Sequence, residues 1–256
     1  MLPWFDYLLL GCVAVIAGVM NALAGGGTLL TFPVLTAVGL PTVVANVTNT
    51  LALLPGTVGG TLAQWAEMKT QARRLLFFLP FAILGGLVGG ILLLNSGEKV
   101  FRQLVPFLIL MASLMLAAQD RLRLFLARRS EKHASGGRTS LAWSAAAVLL
   151  AAIYGGYFGA GLGVILLSIL GLALDETLTR LNALKQSIAF CVNATAALFF
   201  VFSGRVVWPV ALVMAACSLF GGWLGGKLAR RVKPASFRWI VVTIGIVVAI
   251  IYFIKG

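Results

Sequence analysis

From Leu75 to Leu94 the chain runs without one charged residue, and it does so again from Leu141 to Leu174 and from Ile240 to Ile254. Runs this long and this apolar cross a lipid bilayer, where a helix of about 20 residues satisfies all of its own backbone hydrogen bonds. Composition agrees: 61% of the 256 residues are hydrophobic and the mean hydropathy is +1.03. That leaves too little polar surface to cover a soluble domain of this size. The expected class is an all-α polytopic membrane protein. Its longest polar stretch, about 119–140, reads as a connecting loop.

The polar and glycine punctuation inside these runs occurs twice, 136 positions apart. Gly25 and Gly27 return as Gly161 and Gly163, and Asn46 returns as Asn182. Gly85, Gly86, Gly89 and Gly90 return as Gly221, Gly222, Gly225 and Gly226, and Phe101-Arg102 returns as Phe237-Arg238. Ten apolar segments follow, at about 7–24, 27–40, 43–65, 73–95, 101–119, 140–159, 162–175, 178–202, 206–226 and 237–254. This divides the chain into a first repeat (1–119), a basic cytoplasmic linker (120–139) and a second repeat (140–256). The N-terminal MLPWFDY carries Asp6 and no Lys or Arg, so residues 7–24 read as a permanent span rather than a cleaved signal. The second segment of each five is too short to cross, at about 21 Å against a hydrocarbon core of ~30 Å. Short, glycine-interrupted segments at matching positions point to broken helices and a site near the midplane.

Charge distinguishes two topologies. Five crossings per repeat, with the N-terminus outside, put sixteen of the twenty basic residues inside; four crossings split them eleven to nine. The positive-inside rule favours the first, which makes the two repeats inverted. The formal net charge of +13 is therefore read as topology, not as nucleic-acid binding. Cys12, Cys191 and Cys217 sit in apolar runs without CxxC spacing, and the only histidine, His133, is in the polar loop. Neither a metal nor a cofactor is expected.

Two features carry chemistry. The first is the glycine break, Gly25, Gly26, Gly27 and Thr28 in one half, Gly161 and Gly163 in the other. Glycine lets the backbone turn sharply, and a helix starting after the break would offer free N–H groups and its positive dipole end to an anion. The second is a polar stripe: Asn46, Asn49, Thr50 and Thr57 in one segment, Asn182, Lys185, Gln186 and Asn193 in its counterpart, both at i, i+3, i+4 and i+11. Such residues mark either a pathway or interhelical hydrogen bonds. None of the seven acidic residues falls mid-membrane, so a co-transported proton would travel on the substrate. The double glycines read as helix-packing faces, within the chain or in a homodimer.

AlaGlyGlyGlyThrLeuLeuThrPhePro (24–33), AlaAsnValThrAsnThr (45–50), AsnAlaLeuLysGln (182–186), SerGlyArgValValTrp (203–208) and GlyGlyTrpLeuGlyGlyLysLeuAlaArgArg (221–231) resemble the sulfite exporter TauE/SafE family of membrane permeases. The resemblance covers nearly the whole chain. It implies a multi-pass inner-membrane permease for sulfite, sulfonates or related anions, with about eight spans where the charge count prefers ten segments. The second half departs from the pattern, with Leu162 inside its glycine break and Ile169 and Cys191 where the first half has Pro33 and Pro55. The resulting expectation is a secondary transporter working by alternating access. Backbone N–H groups at 25–28 and 161–164, with Asn46, Asn49, Asn182 and Gln186, would bind the anion's oxygens, and Lys185 would supply charge. An anion channel or a structural subunit of a membrane complex are the rival readings. An enzyme is disfavoured, since no span holds a histidine or a carboxylate.

Overall fold

The computed structural model describes residues 2–23, 25–132, 141–228 and 234–255, and among them every regular element is an α-helix. In chain order these are α1 (Trp4–Leu23), α2 (Thr28–Ala37), α3 (Thr42–Ala63), α4 (Trp65–Lys69), α5 (Ala72–Lys132), α6 (Leu141–Tyr157), α7 (Leu162–Ala173), α8 (Leu178–Val201), α9 (Trp208–Leu228) and α10 (Pro234–Lys255). Stretches of α1, α5, α8 and α9 are long and apolar enough to cross a bilayer. The protein is thus an all-α, multi-pass membrane protein. With 10 and 12 residues, α2 and α7 are about 15 and 18 Å long, too short to cross, as the segment lengths predict.

The longest element, α5, is two helices joined at Gly97, whose φ of 70° and ψ of 165° suit glycine alone. The joint folds the arm 72–96 back along the arm 98–132. Just before the first arm, Gln71 donates to the Arg180 carbonyl (3.0 Å) at the start of α8. On the second arm, Leu126 packs over Gly171 near the end of α7. Both ends of α5 therefore lie beside the α7–α8 connection, at what we call the basic end, and Gly97 lies at the opposite end.

The second arm corrects the sequence reading. The stretch expected to be a loop from residue 119 is helical to Lys132. Charges begin at Asp120, yet the buried face persists, with Leu116 and Leu126 1% and 3% exposed. The rest of the expected linker, with His133 and Arg138, lies outside the described residues, as do Ala24, Arg230, Arg231 and Lys233. The third segment also differs, since α3 stops at Ala63 and α4 follows as a separate turn.

The double glycines are packing positions within the chain. A methyl group on Gly85 or Gly89 would strike α6, at Ala152 and Ile153, while one on Gly86 would strike Val192 of α8. In the other half a methyl on Gly221 or Gly225 would strike α1, at Val15 and Val19, and one on Gly222 would strike Gly56 of α3. At 85/86, 89/90 and 221/222 the first glycine thus serves one neighbour and the second another, because adjacent residues point about 100° apart. In both halves the fourth crossing holds the other half's first helix on one side. The third helix it touches also belongs to the other half.

Ion pairs and caps close the ends. Glu176, in the α7–α8 connection, takes Arg74 and Arg180, tying the starts of α5 and α8 together. Burial pushes its carboxyl pKa up, but hydrogen bonds from Arg180 and Arg74 outweigh this and hold it below the usual range. At the opposite end Glu98 accepts from Thr42 Oγ1 (2.7 Å) and from the Val43 N–H (3.1 and 3.2 Å). It caps α3 from outside and complements its dipole. Glu98→Ala is expected to lower stability by about 1–2 kcal/mol, seen as a lower thermal midpoint in detergent. Glu98→Gln, which can still accept, should lose less, and equal losses would mean that the carboxylate does not act as a cap.

Candidate functional site

A cavity of about 390 Å³ lies where the glycine breaks meet the stripes of α3 and α8. Ten of the twelve expected site residues line it: Gly25, Gly26 and Thr28, Asn49 and Thr50, Gly161 and Gly163, and Asn182, Lys185 and Gln186. It extends to Thr179 in the first turn of α8, an exposed residue, and to Gln64 just past α3. The mouth is therefore at the basic end.

The other two are placed elsewhere by their hydrogen bonds. Gly27 is buried, donates to Asn21 Oδ1 (2.9 Å) and accepts from Thr31 Oγ1 (3.1 Å), so it joins α1 to α2. Asn46 is 1% exposed and donates to the Tyr157 carbonyl at the end of α6 (2.9 Å). It holds helices together, as the rival reading of the asparagines supposed.

The backbone offers less than expected. The Gly25 N–H goes to Met20 O (2.8 Å), Leu162 N–H to Gly159 O (3.3 Å) and Val164 N–H to Gly161 O (2.9 Å). Gly26, Thr28, Gly161 and Gly163 keep N–H groups without a partner among the described residues. Gly161 begins α7 in a left-handed conformation, with φ 78°. Thr50 and Thr57 donate to their own helix at Asn46 O (2.9 Å) and Leu54 O (2.7 Å), so they present only lone pairs. Asn49 is 1% exposed, and its Oδ1 has no partner among the described residues.

Lys185 is the centre of the site. Its Nζ donates to Asn182 Oδ1 (3.2 Å), and Asn182 in turn is anchored through Nδ2 to Leu178 O (2.9 Å). Asn182 thus positions the lysine and keeps one amide hydrogen free. A methyl group on Gly163 would lie 3.8–4.0 Å from the lysine's Cδ, Cε and Nζ. The ammonium therefore stands against the first turn of α7, the positive end of that helix. No Asp or Glu lines the cavity among the described residues. Two positive groups side by side without a carboxylate are suited to an anion between them.

Sequence reasoning missed two features. Arg123 lines the cavity from the second arm of α5. The signal was Leu116, Gln119, Arg123 and Leu126, at a helical spacing that continues past the first charge. The second is an aromatic cluster that reaches the cavity at Phe158. Phe158, which lines it, stands 5.5 Å from Phe32 and 6.2 Å from Phe101, ring centre to ring centre, and Tyr157 stands 5.5 Å from Phe101. The repeat positions of Phe32, Tyr157 and Phe158 are Ser168, Asn21 and Ala22. Phe32 and Phe101 come from the first half and Tyr157 and Phe158 from the second, and of the four only Phe101 has an aromatic counterpart, Phe237, so the cluster as a whole is not repeated in the sequence.

A family model described as Sulfite exporter TauE/SafE matches residues 10–252. The chain is 28% identical over 234 residues to a probable membrane transporter protein of Haemophilus influenzae, covering 91% of this chain and 89% of that one. It is 27% identical over 250 residues to the probable membrane transporter protein YfcA of Escherichia coli K12, covering 94% and 88%. A probable membrane transporter protein, ORF9, of a Sinorhizobium species is 25% identical over 242 residues, covering 93% and 88%.

Proposed function

The chain belongs to the sulfite exporter TauE/SafE family of membrane transporters, and on that footing we propose that it carries a small sulfur-containing anion, such as sulfite or an organosulfonate, across the inner membrane by alternating access. The observation that carries the substrate charge is Lys185 set against the N-terminus of α7 in a cavity whose described lining has no carboxylate. Amides, hydroxyl lone pairs and the N–H groups of Gly26, Thr28, Gly161 and Gly163 complete a lining suited to binding an oxyanion rather than to catalysis. With the N-terminus outside, the basic end is cytoplasmic, and the cavity faces the cytoplasm. Apolar rings at its wall disfavour the continuous polar pore of an anion channel.

The two inverted repeats supply the moving parts, in exchanged form. Backbone-close contacts bind α9 to α1 and α3, and the first arm of α5 to α6 and α8. The bodies that rock are therefore these two groups, each drawn from both halves of the sequence, with the α3–α8 seam and its cavity between them. The proton, where one moves, travels on the substrate.

The test is the thermal midpoint of the purified protein in detergent against sulfite, sulfate, thiosulfate, an organosulfonate, chloride and phosphate at fixed ionic strength. A ligand that binds the native state alone stabilises by about 2.7 kcal/mol at a hundred times its Kd. A rise selective for sulfur oxyanions is expected. Equal rises with chloride and phosphate, or none with any anion, would overturn the reading.

A further inference from the structure

We infer that Arg123 is a second substrate-binding cation, and that with Lys185 it makes the cavity prefer doubly charged anions to singly charged ones; this rests on the reading of the cavity as an anion site. The two residues reach the same cavity from different helices, Arg123 from the second arm of α5 and Lys185 from α8. They are within electrostatic reach of each other, and Asp120 and Arg238 are the other charged groups facing Arg123. Asp120, one turn before Arg123, is already taken by both terminal nitrogens of Arg238, which is 2% exposed. Arg123 feels Asp120 only through space, with Arg238 opposing it. Arg123 makes no ion pair among the described residues, and its Nε is buried without a hydrogen-bond partner.

Two cations without a direct ion-pair partner among the described residues therefore share one cavity. A monoanion would neutralise one and leave the other facing it, whereas a dianion balances both. Size cannot make this selection. At ~30 Å³ per water the cavity of about 390 Å³ holds the volume of a dozen waters, far more than one tetrahedral oxyanion. Between anions that share one head group charge is the quantity that differs, and a guanidinium fork is shaped to hold two oxygens of one group.

The test uses pairs of probes that share a sulfur-oxyanion head and differ by one charge: sulfate against methanesulfonate, and ethane-1,2-disulfonate against ethanesulfonate. Binding to the purified protein is read by thermal shift at fixed ionic strength. In the wild type each dianion is expected to bind about tenfold or more tighter than its monoanionic partner, a difference typical of one desolvated charge contact. Arg123→Gln should weaken dianion binding about tenfold more than monoanion binding, so that the ratio falls towards one. Arg123→Lys, which keeps the charge and loses the fork, should retain a reduced ratio, and it carries the test if Arg123→Gln does not fold. A structural role for Arg123 would weaken both members of each pair alike, and that result, or an unchanged ratio in Arg123→Gln, overturns the inference. An equal affinity of wild type for both charges also overturns it while leaving the anion site standing. Failure of every probe to bind wild type would overturn the anion site itself.

Discussion

Lys185→Gln is expected to abolish anion-induced stabilisation and transport while leaving a protein as stable as the wild type, or more so. Lys185 lies seven residues past the start of α8, about 10 Å along the axis. Its Nζ has an amide oxygen for a partner and the first turn of α7 for a neighbour. A cation so placed, with no carboxylate among the described lining residues, gains little in the ligand-free protein and costs desolvation. Replacing it by a neutral side chain of similar length removes that cost. When an anion is bound the balance reverses. Losing one partner of a desolvated charge pair costs 2–5 kcal/mol, or about 30- to 5,000-fold in affinity. The two signs together identify the role. Thermal midpoints with and without sulfite, and uptake into proteoliposomes, measure both. A lysine that only braced α8 against α7 would give a lower ligand-free midpoint and unchanged anion binding, and that outcome would remove Lys185 from the site. Asn182→Ala should fall between, since its Oδ1 orients the ammonium.

The segment pattern was legible because each of its signals has a local cause. Apolar run length is set by bilayer thickness, and glycine breaks are set by backbone geometry. The stripes at i, i+3, i+4 and i+11 were legible as far as one helix goes. What periodicity cannot supply is the identity of the neighbour. Asn46 and Asn49 are three residues apart, about 60° around the helix, and that angle is enough to send one to the end of α6 and the other into the cavity. Arg123 was hidden for a different reason. An apolar-run criterion ends a span at its first charges, here Asp120 and Arg121. The arm 98–132 is about 50 Å long, so its last turns overhang the hydrocarbon core and carry charge while one face stays packed. The phenylalanine cluster left no mark at all, because a Phe in an apolar run looks the same whether it faces lipid or lines a cavity.

Gly221→Ala is expected to be more damaging than most core truncations, though it adds one methyl group. That methyl would fall on the backbone of Val15, as one on Gly89 would fall on the backbone of Ile153 and Tyr157. Helix backbones cannot give way as side chains do, so α1 and α9 would have to separate along their crossing. In a bilayer such a crossing is held by close van der Waals contact, with no hydrophobic force to restore it. Overpacking of this kind costs about 3 kcal/mol or more. Gly90→Ala is the internal control. It lies in the same kind of pair, but its methyl would meet ring atoms of Phe199 and Phe200 at 3.2 and 3.3 Å, and these side chains can shift. The expected order is a large fall in thermal midpoint and loss of a monodisperse elution peak for Gly221→Ala and Gly89→Ala, and a change of about 1 kcal/mol or less for Gly90→Ala. Equal effects at all three positions would mean that the crossings are looser than described, and the two exchanged groups could not then move as rigid bodies. The expected order instead leaves the α3–α8 seam as the place where the molecule can open. That seam is where Asn49, Lys185 and Gln186 meet the cavity.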